Sequence, residues 1–546
     1  MSTSTESTLD ANAATFFVER HRKAGYAAKP AYIEYAGQQR RLDYAGLAQA
    51  SDQVGGGLIA QGIRPDDRLA LLLPDQLEWP ILFWGCVKQR IQPVALNTLL
   101  STDIYQQIFN DSGVRAICVS VSLLPVAAPA IAACTSIEKI FVVADPDSAC
   151  QFEELVKQFP DLALLDYHST LAQADVASMQ PARAEECAFW LYSSGSTGTP
   201  KGVRHRHSSL KATADTYGTE VLGIRQDDIV YSAAKLFFAY GLGNAMTFPL
   251  AVGATTWLMN GRPTPDSVLD LIQQAQPSLF FGVPTLYAAL LEAVSRQSVD
   301  LSCLRLCVSA GEALPADIGK RWEQLSGADV LDGVGSTEML HIFLSNRPGA
   351  VEHGTSGVAV PGYELRLVDE TGEPAAVGTL GELLVRGPST PIDYWQQPEK
   401  SAYTFADGWA RTGDKYEQRD DGRLLYCGRT DDMFKSGGIW VSPFEVEQVL
   451  IEHEQVLEAA VVPALDENGL DKPKAFIVLV PTTQDDTANL AEQQVAQLQD
   501  ELKQHVQARI GKWKYPRWVE IMPDLPKTAT GKVQRFKLRQ TSGEPS

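Results

Sequence analysis

Short apolar runs recur along the chain from about residue 17 to 430, separated by segments with helical spacing. Leu69-Ala-Leu-Leu-Leu, Ala116-Ile-Cys-Val-Ser, Ile140-Phe-Val-Val, Leu279-Phe-Phe-Gly-Val and Leu306-Cys-Val-Ser are examples. Strands that are apolar on both faces suit sheets covered by helices on each side, so the pattern predicts layered α/β sheets. From about 358 the texture changes. Tyr363-Glu-Leu-Arg-Leu-Val, Gly381-Glu-Leu-Leu-Val-Arg-Gly and Gly422-Arg-Leu-Leu-Tyr read as short strands joined by glycine-containing turns, a β-rich subdomain. A small α/β unit follows. Pro443-Phe-Glu-Val-Glu-Gln-Val-Leu predicts a helix with proline near its start. Leu457-Glu-Ala-Ala-Val-Val and Ala475-Phe-Ile-Val-Leu-Val predict strands. Over roughly 488–510, Val495, Leu498, Leu502, Val506 and Ile510 keep helical spacing and Gly511 is placed to cap the helix. The boundary is expected near Arg429 to Asp432, giving domains 1–430 and 431–546; residues 1–16 are polar and expected to be frayed.

Composition narrows the picture. At 546 residues the chain exceeds what one hydrophobic core supports, so two domains at least are expected. The net charge of −20 argues against a nucleic-acid partner, which wants a basic stripe. It leaves small anions open, since a few local N–H groups and cations hold those. The first residues lack a basic segment and an apolar core, so no secretory signal is expected, and no apolar run reaches the ~20 residues of a membrane span. The eight cysteines are scattered, and Cys303 and Cys307, read as part of an apolar strand, lack metal-site spacing. Buried reduced thiols in a cytoplasmic protein are the expectation.

Candidate chemistry begins at residues 188–202, Ala-Phe-Trp-Leu-Tyr-Ser-Ser-Gly-Ser-Thr-Gly-Thr-Pro-Lys-Gly. An apolar run feeds a loop of hydroxyls and glycines that lets backbone N–H groups approach an anion, and Lys201 adds a cation. A plain surface linker need not follow a buried strand or end in Pro-Lys-Gly. It is no Walker A loop, because Pro200 stands where that motif has glycine.

The segment Tyr192 to Gly202 resembles the signature loop of the adenylate-forming superfamily of acyl-CoA synthetases, luciferases and peptide-synthetase adenylation domains. Further motifs follow in that family's order over nearly the whole chain. The resemblance implies that Ser193, Ser194, Gly195, Ser196, Thr197, Gly198 and Lys201 hold ATP phosphates. Asp332-Gly-Val-Gly-Ser-Thr-Glu-Met339 resembles the second nucleotide motif, with Thr337 on the α-phosphate, Glu338 holding Mg2+, and Asp332 and Gly333 beside the nucleotide. Many relatives carry an aromatic where Val334 stands, so only aliphatic packing on adenine is implied here. Gly311 and Glu312 match the strand end on the other side of the adenine. Asp414 and Arg429 match the ribose contacts, and Asp431 matches the interdomain pivot. Lys435, Gly437 and Gly438 match the region facing coenzyme A. Lys532 matches the adenylation lysine, carried on a mobile C-terminal domain.

Residues 235–244, Lys-Leu-Phe-Phe-Ala-Tyr-Gly-Leu-Gly-Asn, and 339–344, Met-Leu-His-Ile-Phe-Leu, look closest to benzoate:CoA ligases. That implies an acyl pocket of Ala239, Tyr240, Gly335, Leu340, His341 and Ile342. The expected activity is formation of benzoyl-CoA from benzoate, ATP and CoA through benzoyl-AMP. No charged partner for a ring substituent stands in these segments, although His341 or Tyr240 could meet a hydroxyl or an amine. 4-Hydroxybenzoate, 2-aminobenzoate, or loading of a carrier protein instead of CoA stay open, as does a homodimer.

Overall fold

Two large sheets carry the apolar runs. The computed structural model describes residues 11–35, 37–145, 152–194, 199–296, 299–436, 439–467, 469–480, 492–527 and 533–541. The seven-stranded sheet runs, in space, Leu164–Asp166, Lys139–Val143, Ala116–Ser120, Arg68–Leu72, Gln92–Ala95, Cys187–Ser194 and Pro200–Arg206. Every pairing is parallel except the last, a hairpin. All five residues of Ala116–Ser120 are buried, as a parallel strand covered on both faces requires.

The nine-stranded sheet is parallel through its centre, where Leu306–Ala310 lies between Leu279–Gly282 and Asp329–Gly335. It turns antiparallel at both ends, and at one of them Asp329–Gly335 pairs with Ile342–Ser345. That return brings residues 336–341 back across the carboxyl end of the sheet, where open α/β sheets bind ligands. Four antiparallel strands, Glu364–Val368, Leu380–Arg386, Ala410–Gln418 and Leu424–Arg429, form the expected β-rich subdomain.

The C-terminal unit has a hairpin of Phe434–Ser436 and Ile439–Val441, then a sheet of Val456–Leu465, Asp471–Leu479 and Trp518–Ile521. Helix Pro443–Ile451 starts where Ser442 Oγ accepts the Glu445 N–H at 3.1 Å, an N-cap beside the first-turn proline. Helix Glu492–Ile510 buries Leu498, Leu502 and Val506, the stripe read from the sequence. Gly511 follows at φ 86°, the left-handed cap conformation. One detail differs from expectation: Cys303 lies in a turn ahead of strand Leu306–Ala310, and only Cys307 is in the strand. Among the described residues no helix is long and apolar enough to cross a membrane.

Candidate active site

The hairpin of Cys187–Ser194 and Pro200–Arg206 sets Ser193 opposite Lys201 and Tyr192 opposite Gly202. The turn between them, with Gly195, Ser196, Thr197 and Gly198, lies outside the described residues, as does the Ser194 side chain. Burial lowers the Lys201 ammonium pKa; Glu338 opposes this, and Lys400 and Arg429 add to it. Cations gathered in this way suit a polyanion. Buried His205, further along the same strand, stacks on Phe189 at 5.0 Å and lies against the Thr337 backbone, linking the hairpin to the second motif.

That second motif is a sharp turn. Met339 N–H donates to Ser336 Oγ at 3.1 Å, Leu340 N–H donates to Thr337 O at 3.2 Å, and Leu340 sits at φ 64°. Gly335 fits where a Cβ would stand 2.6 Å from His341 O, so no larger residue could let the chain double back there. Thr337 and Glu338 are thereby left half-buried at the sheet edge while Leu340, His341 and Ile342 turn inward. The Asp332 side chain also turns inward. It accepts the Leu314 N–H at 3.3 Å and a Ser356 Oγ hydrogen at 3.5 Å, and burial pushes its carboxyl up to about 8. What Asp332 and Gly333 can offer a nucleotide is therefore main chain. Gly311, at φ 98°, and Glu312 follow the neighbouring strand end.

Behind this turn lies the acyl-pocket group. His341 is 2% exposed, and its Nε2 pairs with Asn244 Oδ1 at 3.0 Å. Its ring lies between Tyr217, Tyr240 and Phe248, with centroids at 5.3, 5.7 and 4.5 Å. Burial pushes its pKa down to about 3, so the imidazole is neutral. Tyr240 donates its hydroxyl to Val308 O at 3.1 Å, with Gly282 O at 3.3 Å. The phenol is thus spoken for as a donor, and what its oxygen can offer a ring hydroxyl or amine is acceptance. Ala239 opens the short helix Ala239–Leu242 that carries Tyr240. Asp75, buried on the loop after Arg68–Leu72, accepts the Leu236 N–H at 3.0 Å and anchors the segment ahead of that helix.

Asp414 and Arg429 are cross-strand partners in the four-stranded sheet, joined at 3.0 Å. Gly413, just before Asp414, has φ 73°, and a Cβ there would meet Arg429 Nη2 at 3.0 Å. Asp431 is exposed, and the adjoining Asp432 pairs with Arg539 at 2.9 Å and Arg535 at 3.6 Å on helix Arg535–Thr541. Lys435 is exposed, its Nζ 4.7 Å over the Trp440 ring. Gly437, Gly438 and Lys532 lie outside the described residues.

For a metal, no group of three or more His, Cys, Asp or Glu side chains gathers among the described residues. Glu338 Oε1 accepts a hydrogen bond from Tyr394 Oη at 2.8 Å, and among the described residues no hydrogen bond engages the second oxygen. A single carboxylate fits Mg2+, which dehydrates reluctantly and is bound through one or two carboxylates and substrate phosphates. Tyr394, Lys400 and Asn244 are the residues that motif reading missed. The Tyr394-Trp395 pair inside a polar loop was the available signal.

The sequence matches the AMP-binding enzyme family over residues 19–395 and the AMP-binding enzyme C-terminal domain over 445–532. The chain belongs to the AMP-binding enzyme family. It is 49% identical over 532 residues to a 4-hydroxybenzoate–CoA/benzoate–CoA ligase of Rhodopseudomonas palustris, spanning 97% of this chain and 94% of the relative. It is 48% identical to a benzoate–CoA ligase of Thauera aromatica, with 97% and 95% spanned. A benzoate CoA ligase structure from Burkholderia xenovorans LB400 superposes at TM-score 0.84 with 42% identity, over 97% of this chain and 99% of that one.

Proposed function

We propose that the protein is an AMP-forming aryl acid:CoA ligase that makes benzoyl-CoA from benzoate, ATP and coenzyme A. One observation carries the reading. A single turn, residues 335–342, holds the nucleotide residues Thr337 and Glu338 and the pocket residues Gly335, Leu340, His341 and Ile342. An acid seated against those pocket residues has its carboxylate beside the α-phosphate. The pocket is apolar and its imidazole neutral, which suits an aromatic ring; burying one contributes roughly 1.5–3 kcal/mol on the scale for an apolar side chain.

In the first half-reaction the carboxylate attacks the α-phosphorus, forming benzoyl-AMP and releasing pyrophosphate. Lys201, Ser193, the glycine-rich turn, Thr337 and Lys532 offset the charge that two approaching anions build up. Glu338 would hold Mg2+, whose charge would screen the triphosphate. Asp414 and Arg429 fix the ribose. In the second half-reaction, domain 431–546 rotates about Asp431, withdraws Lys532 and brings Lys435, Gly437 and Gly438 to the site, where the CoA thiol, losing its proton, attacks the acyl carbon of the mixed anhydride and the acyl–phosphate bond breaks to give benzoyl-CoA and AMP. The cysteines among the described residues are free thiols, which fits a reducing, cytoplasmic setting.

4-Hydroxybenzoate is a second acid favoured by a specific observation: Asn244, buried beside His341 and next to the Tyr240 phenol, makes no well-aligned hydrogen bond through Nδ2 to the described residues. A relative named for both acids agrees with that. A panel of benzoate, hydroxybenzoates, 2-aminobenzoate and aliphatic acids, scored by acyl-CoA formation, tests the assignment. Turnover should be highest with benzoate. Preference for an aliphatic acid, or an adenylate that free CoA does not consume, would refute it.

A further inference from the structure

The segment Ile392 to Trp395 lies along the free edge of strand Pro200–Arg206. Ile392 N–H donates to Arg204 O at 2.8 Å, Trp395 N–H donates to Gly202 O at 2.8 Å, and Val203 and Tyr394 form an antiparallel bridge. Arg204 clamps the strap from the side, pairing with both Asp393 oxygens at 2.6 and 2.7 Å. Tyr394 is held in place from its own loop: its N–H donates to Ser401 Oγ at 3.0 Å, and its ring lies 5.1 Å from Phe405. It is 4% exposed.

Two candidate catalytic groups from opposite sheets meet on this one side chain. The Tyr394 hydroxyl donates to Glu338 Oε1 at 2.8 Å, and Lys201 Nζ lies 4.8 Å from the centre of the Tyr394 ring. A phenol can serve both. Its O–H donates to a carboxylate while its π face attracts an ammonium. The hydroxyl engages one carboxylate oxygen, Oε1, and the ring offers Lys201 a seat other than the Glu338 carboxylate. Direct pairing of those two charges would consume the metal ligand and the phosphate cation together.

We propose that Tyr394 is a positioning residue for adenylation, orienting Glu338 toward the nucleotide-bound metal and seating Lys201 toward the phosphates. The inference rests on the adenylation reading above. It concerns a residue outside both nucleotide motifs, carried on a strap whose own sequence holds no phosphate-binding pattern.

The test is calorimetric binding of ATP to the full-length enzyme across a Mg2+ series and in EDTA, with no acid present. Tyr394→Phe keeps the ring and loses the hydroxyl. It should raise the Mg2+ midpoint for ATP binding about tenfold, the scale for one hydrogen bond to a charged group. Metal-free ATP binding should stay within about twofold, because the seat of Lys201 remains. Tyr394→Leu should weaken metal-free binding as well. In a Glu338→Gln background, Tyr394→Phe should leave the Mg2+ midpoint unmoved, since the carboxylate it orients is gone. An unchanged midpoint in the single variant overturns the inference. So does an equal loss of metal-free binding, which marks a structural role, or full additivity with Glu338→Gln. A parent enzyme that binds no ATP at all overturns the adenylation reading with it, whereas normal ATP binding indifferent to Tyr394→Phe overturns this inference alone.

Discussion

Gly243→Ala is a one-carbon change whose effect can be worked from the packing around His341. An ideal Cβ on Gly243 would stand 2.7 Å from His341 Nε2, closer still to Cδ2, and 3.0 Å from Phe248 Cζ. Carbon contacts want about 3.5–4.0 Å, so the imidazole must retreat by about 1 Å. It has no free space to take, with Tyr217, Tyr240 and Phe248 packed around it. Overpacking of this kind costs about 1–3 kcal/mol. The same movement lengthens the 3.0 Å bond to Asn244, a further loss of about 1 kcal/mol. Because His341 O abuts Gly335, the displacement reaches the acid pocket through the backbone. The expected outcome is a KM for benzoate raised roughly tenfold, corresponding to about 1.4 kcal/mol, with the KM for ATP within about twofold. The midpoint of thermal unfolding should fall as well. Steady-state AMP formation and melting curves read both. Gly243→Ala combined with His341→Ala supplies the decisive arm. Removing the ring removes the clash, so the double variant should be less destabilised than the sum of the singles by about 1 kcal/mol or more. Simple additivity, or an unchanged benzoate KM in Gly243→Ala, would refute the steric reasoning.

Lys532→Ala should lower adenylation on the order of a hundredfold, the scale for one preorganised donor, and should spare CoA thioester formation from synthetic benzoyl-AMP. Asp414→Ala should raise the KM for ATP about tenfold or more by removing charged hydrogen bonds to the ribose, and leave the benzoate KM unmoved. Asp332 bears on pH. Burial raises its folded carboxyl from the ordinary 3.8 to about 8. Between those values the unfolded chain binds fewer protons than the folded one, so this group makes stability fall as pH rises through the window, by up to about 1.4 kcal/mol per unit. Asp332→Asn, which carries no titrating proton, should flatten that slope in denaturant unfolding followed at several pH values. A slope equal to that of the parent would contradict it.

The layered architecture was legible because buried parallel strands write themselves as continuous apolar runs, and Ala116–Ser120, apolar up to its closing serine, is buried throughout. The long C-terminal helix was legible for the complementary reason: one stripe, Leu498, Leu502 and Val506, faces the core. Asp414 and Arg429 could be read as a pair from motif matching, and the antiparallel register places them opposite each other. What the sequence hid was contact across long separations. Tyr394 reaches Glu338 over 56 positions, and Asn244 reaches His341 over 97. No local periodicity encodes either, since each depends on how one sheet is placed against another loop. Motif matching set Asp332 beside the nucleotide without fixing which of its atoms face it; strand pleating alternates side chains between faces, and here the carboxyl is buried in the core.

The measurement closest to the central claim is isotope exchange between pyrophosphate and ATP, with magnesium and benzoate present and coenzyme A left out. The account requires label to enter ATP only when benzoate is supplied, because a reversible acyl-adenylate forms before any thiol arrives. Exchange that is absent with benzoate, or that waits for coenzyme A, would contradict it.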